Sequence, residues 1–212
     1  MTLVADRTWI ECRFRGRDHV PSTLDIPQSY ASERGDHALN DGMEPIQPLK
    51  PAAVLVPLVD RPDEMTVLFT QRTSHLAHHP GQVSFPGGHI EPEDGGPIDT
   101  ALRESEEEIG LERGRVHIIG HLDLYVTRTG FAVMPVVGIV SPPLTLRPDP
   151  HEVAEIFEVP LTFLTNRSNH QRCSIEFEGV TRHFWAMPYD RHFIWGATAG
   201  MLVNLCDVLE AR

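Results

Sequence analysis

Apolar positions follow two rhythms along this chain. From Ala52 to Val59 they run almost unbroken, the pattern of a strand buried on both faces. Arg61-Pro62-Asp63-Glu64 interrupts the run as a turn, and Thr66 to Thr70 reads as a second strand, so the pair predicts a hairpin. Val116 to Tyr125 and Phe131 to Val140 are strand-like and joined by Thr127-Arg128-Thr129-Gly130. Val153 to Val159 adds a strand, and Ser174 to Phe177 with Arg182 to Ala186 predicts a hairpin about Gly179. Between Pro97 and Gly110 the spacing changes to threes and fours. Proline suits the first turn of a helix and glycine the residue just past its end, so this stretch is a helix. Ala197 to Leu209 predicts a C-terminal amphipathic helix. Strands dominate with helices between them, which gives an α/β (α+β) chain with a mixed β-sheet covered by helices. Residues 1–50 are only weakly periodic and rich in Pro, Asp and Ser. They read as a partly ordered N-terminal arm with one short helix, ahead of a domain over 51–212.

The bulk numbers narrow the function. A chain of 212 residues, 41% hydrophobic, can bury one core. A net charge of −12 disfavours a generic binder of nucleic acid or anionic membrane, because phosphate backbones need Lys and Arg. It leaves room for a small anionic substrate if a metal supplies positive charge locally. Cys12, Cys173 and Cys206 are far apart and form no CxxC, so they read as reduced packing thiols. The N-terminus lacks a signal-peptide core, and no apolar run is long enough for a membrane span. These features predict a cytoplasmic protein. Oligomeric state stays open, with a homodimer among the options.

One stretch resists a bland reading. Residues 103–108 are Arg-Glu-Ser-Glu-Glu-Glu. Like charges three and four apart on a helix repel by a few tenths of a kcal/mol per pair, and acids near a helix C-terminus oppose its dipole. At about 100° per residue, Ile98, Ala101, Leu102, Ser105 and Ile109 fall on one buried stripe. Glu104, Glu107 and Glu108 share a second arc, Arg103 lies beside Glu107, and Glu106 points away. A solvated acidic face is the plain alternative. The turn Phe85-Pro86-Gly87-Gly88 argues against it, because glycines let a backbone carbonyl approach a cation closely. Three convergent carboxylates after such a turn point to a divalent cation and phosphate chemistry.

Gly88, Arg103, Glu104, Glu107, Glu108, Gly110 and Leu111 resemble the Nudix box, G-x5-E-x7-R-E-U-x-E-E-x-G-U. Two positions depart from it. The middle acid is Asp94, with eight residues between it and Arg103, which leaves its part as a structural anchor open; the apolar U position is Ser105. Leu68-Phe69-Thr70-Gln71-Arg72, Leu76, His79 and Gly81 to Gly88 are similar to the signature that precedes the box in coenzyme A diphosphatases, except that Ala77 stands where the signature has Arg. The longer box, Thr129-Gly130-Phe131, Pro135 to Gly138 and Ile194 to Ala199 are similar to the same subgroup.

This resemblance implies an α/β/α sandwich that hydrolyses a nucleoside diphosphate linked to another group. For coenzyme A or its acyl derivatives the products are 4′-phosphopantetheine and adenosine 3′,5′-bisphosphate. It implies that Glu104, Glu107, Glu108 and the Gly87 carbonyl hold Mg²⁺ or Mn²⁺, that Arg103 holds those carboxylates in place, and that Arg72 binds a substrate phosphate. Many Nudix enzymes take their proton acceptor from a Glu within or outside the box. Glu152 and Glu155, after a Pro-rich loop, are the outside candidates, and ordinary strand-edge acids are the alternative. Other diphosphatases, of ADP-ribose or another nucleotide sugar, share the box, as does a non-catalytic nucleotide-binding module.

His75, His78 and His79 have the spacing of a helical zinc site, but Pro80-Gly81 follows at once and no Cys or HExxH accompanies them. They read as loop residues, His79 facing the substrate cleft or solvent. Trp185, Trp195 and Phe193 read as core, with adenine stacking as the alternative. Met187 and Met201 read as core as well.

Overall fold

A computed structural model describes residues 6–23, 33–76, 79–177 and 179–211. In chain order the helices are α1 (Arg7–Arg13), α2 (Pro97–Ile109), α3 (Leu161–Thr165) and α4 (Gly196–Glu210). The strands are β1 (Arg34–Gly35), β2 (Lys50–Val59), β3 (Thr66–Arg72), β4 (Val83–Ser84), β5 (Gly87–His89), β6 (Val116–His121), β7 (Tyr125–Val126), β8 (Phe131–Val140), β9 (Val153–Pro160), β10 (Gln171–Phe177), β11 (Val180–Tyr189) and β12 (His192–Trp195). The fold is an α/β/α sandwich on a mixed sheet.

Its spine is a parallel ladder between β2 and β8, from Lys50 opposite Phe131 to Val59 opposite Val140. Both strands are almost wholly buried, as their unbroken apolar runs require. Ala53, Leu55 and Leu68 face one side with Ala101 and Ile109 of α2. Ala52, Val56 and Phe69 face the other side with Met201, Leu202 and Leu205 of α4.

Several expectations change here. The β2–β3 hairpin is paired only at Leu58–Val67 and Val59–Thr66; beyond that β3 pairs with β4 and β9. The strand expected over Val116 to Tyr125 breaks into β6 and β7. Asp123 in the break is held by Arg17, Arg34 and Asn204, which draws the chain out of the ladder. The C-terminal helix is buried nearly all round because α1, α3, β11 and β12 pack on different sides of it. Phe193 is not core: its neighbours His192 and Ile194 face inward, so strand alternation turns it out, 46% exposed. Trp185 and Trp195 are half-buried, and Trp195 packs edge-on against Phe184.

The N-terminal stretch is no appendage where it is described. Ile10 and Phe14 of α1 and its exit sit fully buried in the main core. Arg34–Gly35 pairs with Tyr125–Val126, Asp36 accepts from the Tyr125 hydroxyl, and Asn40 exchanges hydrogen bonds with the His183 backbone. Residues 1–5 and 24–32 lie outside the described residues.

Candidate active site

The acidic stretch lies on α2. Pro97 opens the helix, and Gly110 closes it in the left-handed region at φ 67°, its N–H donating to the Glu106 carbonyl. The Pro-rich loop satisfies two of the last carbonyls: Arg147 N–H donates to Ile109 and Asp149 N–H to Glu108, both at 2.8 Å. These bonds bring Glu152, three residues on, to the end of the helix. Ser105 is fully buried at the apolar position and turns its hydroxyl back onto the Ala101 carbonyl at 2.6 Å, which satisfies it.

The two glycines before the helix are there for clearance. A Cβ on Gly88 would lie 2.3 Å from Glu104 Oε1, and one on Gly87 would lie 2.4 Å from the Ala53 carbonyl oxygen. Backbone can approach the carboxylates here, and no side chain fits between. The Gly87 N–H donates to Glu108 Oε2 at 3.3 Å.

Arg103 organises the carboxylates. Its Nε and Nη2 meet both oxygens of Asp94 at 2.9 and 3.0 Å, and its Nη1 reaches Glu104 at 3.0 Å and Glu107 at 3.1 Å. Nη2 also donates to the His89 carbonyl. Asp94 is therefore the anchor despite the extra residue in its loop. Its side chain is 3% exposed, and it accepts from the Glu91 N–H and the Thr100 hydroxyl as well. Its hydrogen bonds to Arg103 hold its carboxyl well below the usual carboxylate range. Sequence reasoning missed Thr100, whose only signal is a hydroxyl six residues past the acid.

Glu108 is the strained member of the group. Burial, with the charge of Glu104 beside it, pushes its pKa up to about 8; the Arg72 guanidinium works against the rise and the Glu152 charge adds to it. Glu104 is raised too, chiefly by burial and despite Arg103. Glu107 stands 61% exposed at the rim. Arg72 Nε is buried without a hydrogen-bond partner. Alternation along β3 turns Arg72 to the α2 side, with Leu68 and Thr70.

Glu155 does not join this group. β9 bulges opposite Gln71 and Arg72. The bulge leaves Ile156 on the α2 side and turns Glu155 with Phe157 to the opposite face. There Glu155 pairs with Arg191 and lies 3.4 Å from His192. Of the two candidate acids Glu152 lies near the carboxylates, its charge acting on Glu108 and Glu104, and the expectation is corrected for Glu155 alone. His79 is exposed in a left-handed conformation at φ 54°, its Nδ1 2.8 Å from Gln82 Oε1, and it touches none of the carboxylates. Ala77 and His78 lie outside the described residues.

Among the described residues no three His, Cys, Asp or Glu side chains enclose a metal position as they stand, because Glu104 and Glu107 turn toward Arg103. The donor set nonetheless fits a hard divalent cation. It is all oxygen, Glu108 lacks a full compensating charge, and the glycine pair keeps the approach clear.

A family model described as the NUDIX domain matches residues 49–177. The chain belongs to the Nudix family. An uncharacterized Nudix hydrolase NudL of Yersinia enterocolitica is 42% identical over 156 residues, spanning 74% of this chain and 80% of that one. One from an Enterobacter species is 39% identical over 184 residues, spanning 82% and 95%. Among solved structures, a MutT/nudix family protein from Enterococcus faecalis superposes with a TM-score of 0.48 at 14% identity, covering 78% of this chain and 63% of that one. A C. elegans Ap4A hydrolase gives 0.44 at 20% identity, covering 52% and 80%. As a Nudix hydrolase the protein is a pyrophosphohydrolase of nucleoside diphosphate derivatives, and Nudix hydrolases in general require divalent cations. No helix among the described residues is long and apolar enough to cross a membrane.

Proposed function

We propose that this Nudix hydrolase splits the diphosphate of coenzyme A or an acyl derivative into 4′-phosphopantetheine and adenosine 3′,5′-bisphosphate. One observation carries the reading. Arg72 and Gly87, fifteen residues apart in the stretch that resembles the coenzyme A diphosphatase signature, both bear on Glu108, one through its charge and one through its N–H.

Glu104, Glu107, Glu108 and the Gly87 carbonyl would hold Mg²⁺ or Mn²⁺. When bound, the cation supplies positive charge against the diphosphate and lowers the pKa of water at the reacting phosphorus. Arg103 keeps Glu104 and Glu107 oriented, and Asp94 fixes Arg103. Arg72 donates its unpartnered Nε–H to a phosphate oxygen, a charge-assisted contact worth about 1.5–3 kcal/mol. Glu152, exposed at the mouth, accepts the proton of the attacking water. Water oxygen bonds to phosphorus as the bridging P–O bond breaks, and the second phosphate leaves.

Ala77 favours a second reading. With alanine where the signature has arginine, one phosphate contact is lost, and a diphosphatase of ADP-ribose or another nucleotide sugar becomes the rival. The test is turnover of coenzyme A, an acyl-coenzyme A and ADP-ribose side by side, in Mg²⁺ and in Mn²⁺, with products identified. Preference for the coenzyme A substrates is expected; an equal or reversed preference overturns the first reading.

A further inference from the structure

Outside the active site, β10 is the outer strand of the β10-β11-β12 sheet, and every residue of it but Cys173 is exposed. Its residues sort by chemistry. Cys173, Ile175 and Phe177 share a face with Val180, Arg182 and Phe184 of β11, and the Arg128 guanidinium lies over the Phe177 ring. Ile175, Phe177 and Val180 remain 55%, 43% and 45% exposed. Arg172, Ser174 and Glu176 share the other face. Neither Arg172 nor Glu176 has an ion pair among the described residues, although Arg17, Arg34, Arg61, Arg103, Arg113 and Arg167 all meet carboxylates.

An exposed strand edge with apolar side chains is a template for another strand, and folds commonly blunt such edges with charge or proline. β10 carries no proline. Its two charges are of opposite sign and stand symmetrically about Ser174.

We propose that β10 pairs antiparallel with β10 of a second copy of this chain, about a two-fold axis at Ser174. A two-fold sets residue i against j and j against i. Arg172 then stands opposite Glu176 of the partner subunit, and Glu176 opposite Arg172 of the partner subunit. On the other face Cys173 meets Ile175 of the partner subunit at both ends. Cross-strand pairs of opposite charge and of apolar side chains are the contacts that stabilise a ladder. An axis at Cys173 sets Arg172 opposite Ser174, and one at Ile175 sets Glu176 opposite Ser174, so only the Ser174 axis pairs these two charges. The three-stranded sheet becomes six-stranded. A single strand pair buries less than the roughly 800 Å² per partner of a standard interface, so the dimer is reversible in the micromolar range.

The test is sedimentation velocity of the full chain from about 1 to about 200 μM. The unaltered protein is expected to pass from monomer to dimer over this range. Arg172→Glu and Glu176→Arg each set like charges across the axis at both ends, and each alone is expected to weaken association about tenfold or more. Mixed in equal amounts, the two variants are expected to associate again, because each end of the axis then joins opposite charges. Turnover by each variant, unchanged, reports that it is folded. An unaltered chain that stays monomeric, variants that associate like it, or a mixture that does not recover would each overturn the proposal.

Discussion

Glu108 and Glu152 show how much of the chemistry lives in single side chains. A carboxyl whose pKa rises on folding favours the fold while it is protonated. For Glu108, metal-free stability is therefore highest below its ordinary value of 4.5 and falls as pH climbs toward about 8, where the charged form is buried in full. Thermal unfolding of the metal-free protein should show this decline, and Glu108→Gln should flatten it. Saturating Mg²⁺ should flatten it as well, since a cation favours the charged form. Glu152 and Glu155 separate on another measurement. Glu152→Gln should lower kcat about 10²-fold or more with little change in KM, the signature of a lost proton acceptor. Glu155→Gln should leave kcat within about twofold, because its partners lie on the far face of the sheet. An unchanged kcat in both variants would return the role to the box.

At the scale of elements, α2 and the loop before it act as one unit through Asp94 and Arg103. The pair is largely buried, so removing one partner leaves an uncompensated charge. Asp94→Asn is expected to destabilise by about 3 kcal/mol, and to loosen Glu104 and Glu107. Because folding depresses the Asp94 pKa, its stabilisation is complete above the ordinary aspartate range and is lost as pH falls below it toward the folded value. Chemical denaturation at neutral pH and below about pH 4 checks this: the gap between Asp94→Asn and the unaltered protein should narrow in acid. The sequence marked both ends of α2 correctly, since Pro97 and Gly110 are local signals. It left Asp94 open because one extra residue disturbs a spacing rule, while Gly95 and Gly96 let the loop take up the slack.

Across the whole molecule, the N-terminal segment closes the core. Phe14 is 1% exposed and packs in the same cluster as the α4 side chains Leu205 and Leu209. Phe14→Ala should cost about 3–5 kcal/mol, measured by urea unfolding, with kcat in the metal-saturated protein almost unchanged. A loss under about 1 kcal/mol would mean that the segment is the loose arm its composition suggests.

Residue order alone determined the helix that bears the acids, the glycines before it, the runs that become β2 and β8, and the membership of the box. Each of these depends on neighbours a few positions away, where hydrogen bonding, sterics and periodicity are local. Tertiary structure decided what depends on distant partners. The parallel pairing of β2 with β8 unites strands some eighty residues apart, and the bulge in β9 turns Glu155 away from the face that Val153 shares with Arg72, while the loop bonded to the end of α2 brings Glu152 to the site. Ile10 and Phe14 find their burial against a helix at the other end of the chain. Burial also sets the charge state of Glu108, which its spacing on α2 cannot do, because a pKa answers to the dielectric and to charges that only the folded chain brings near.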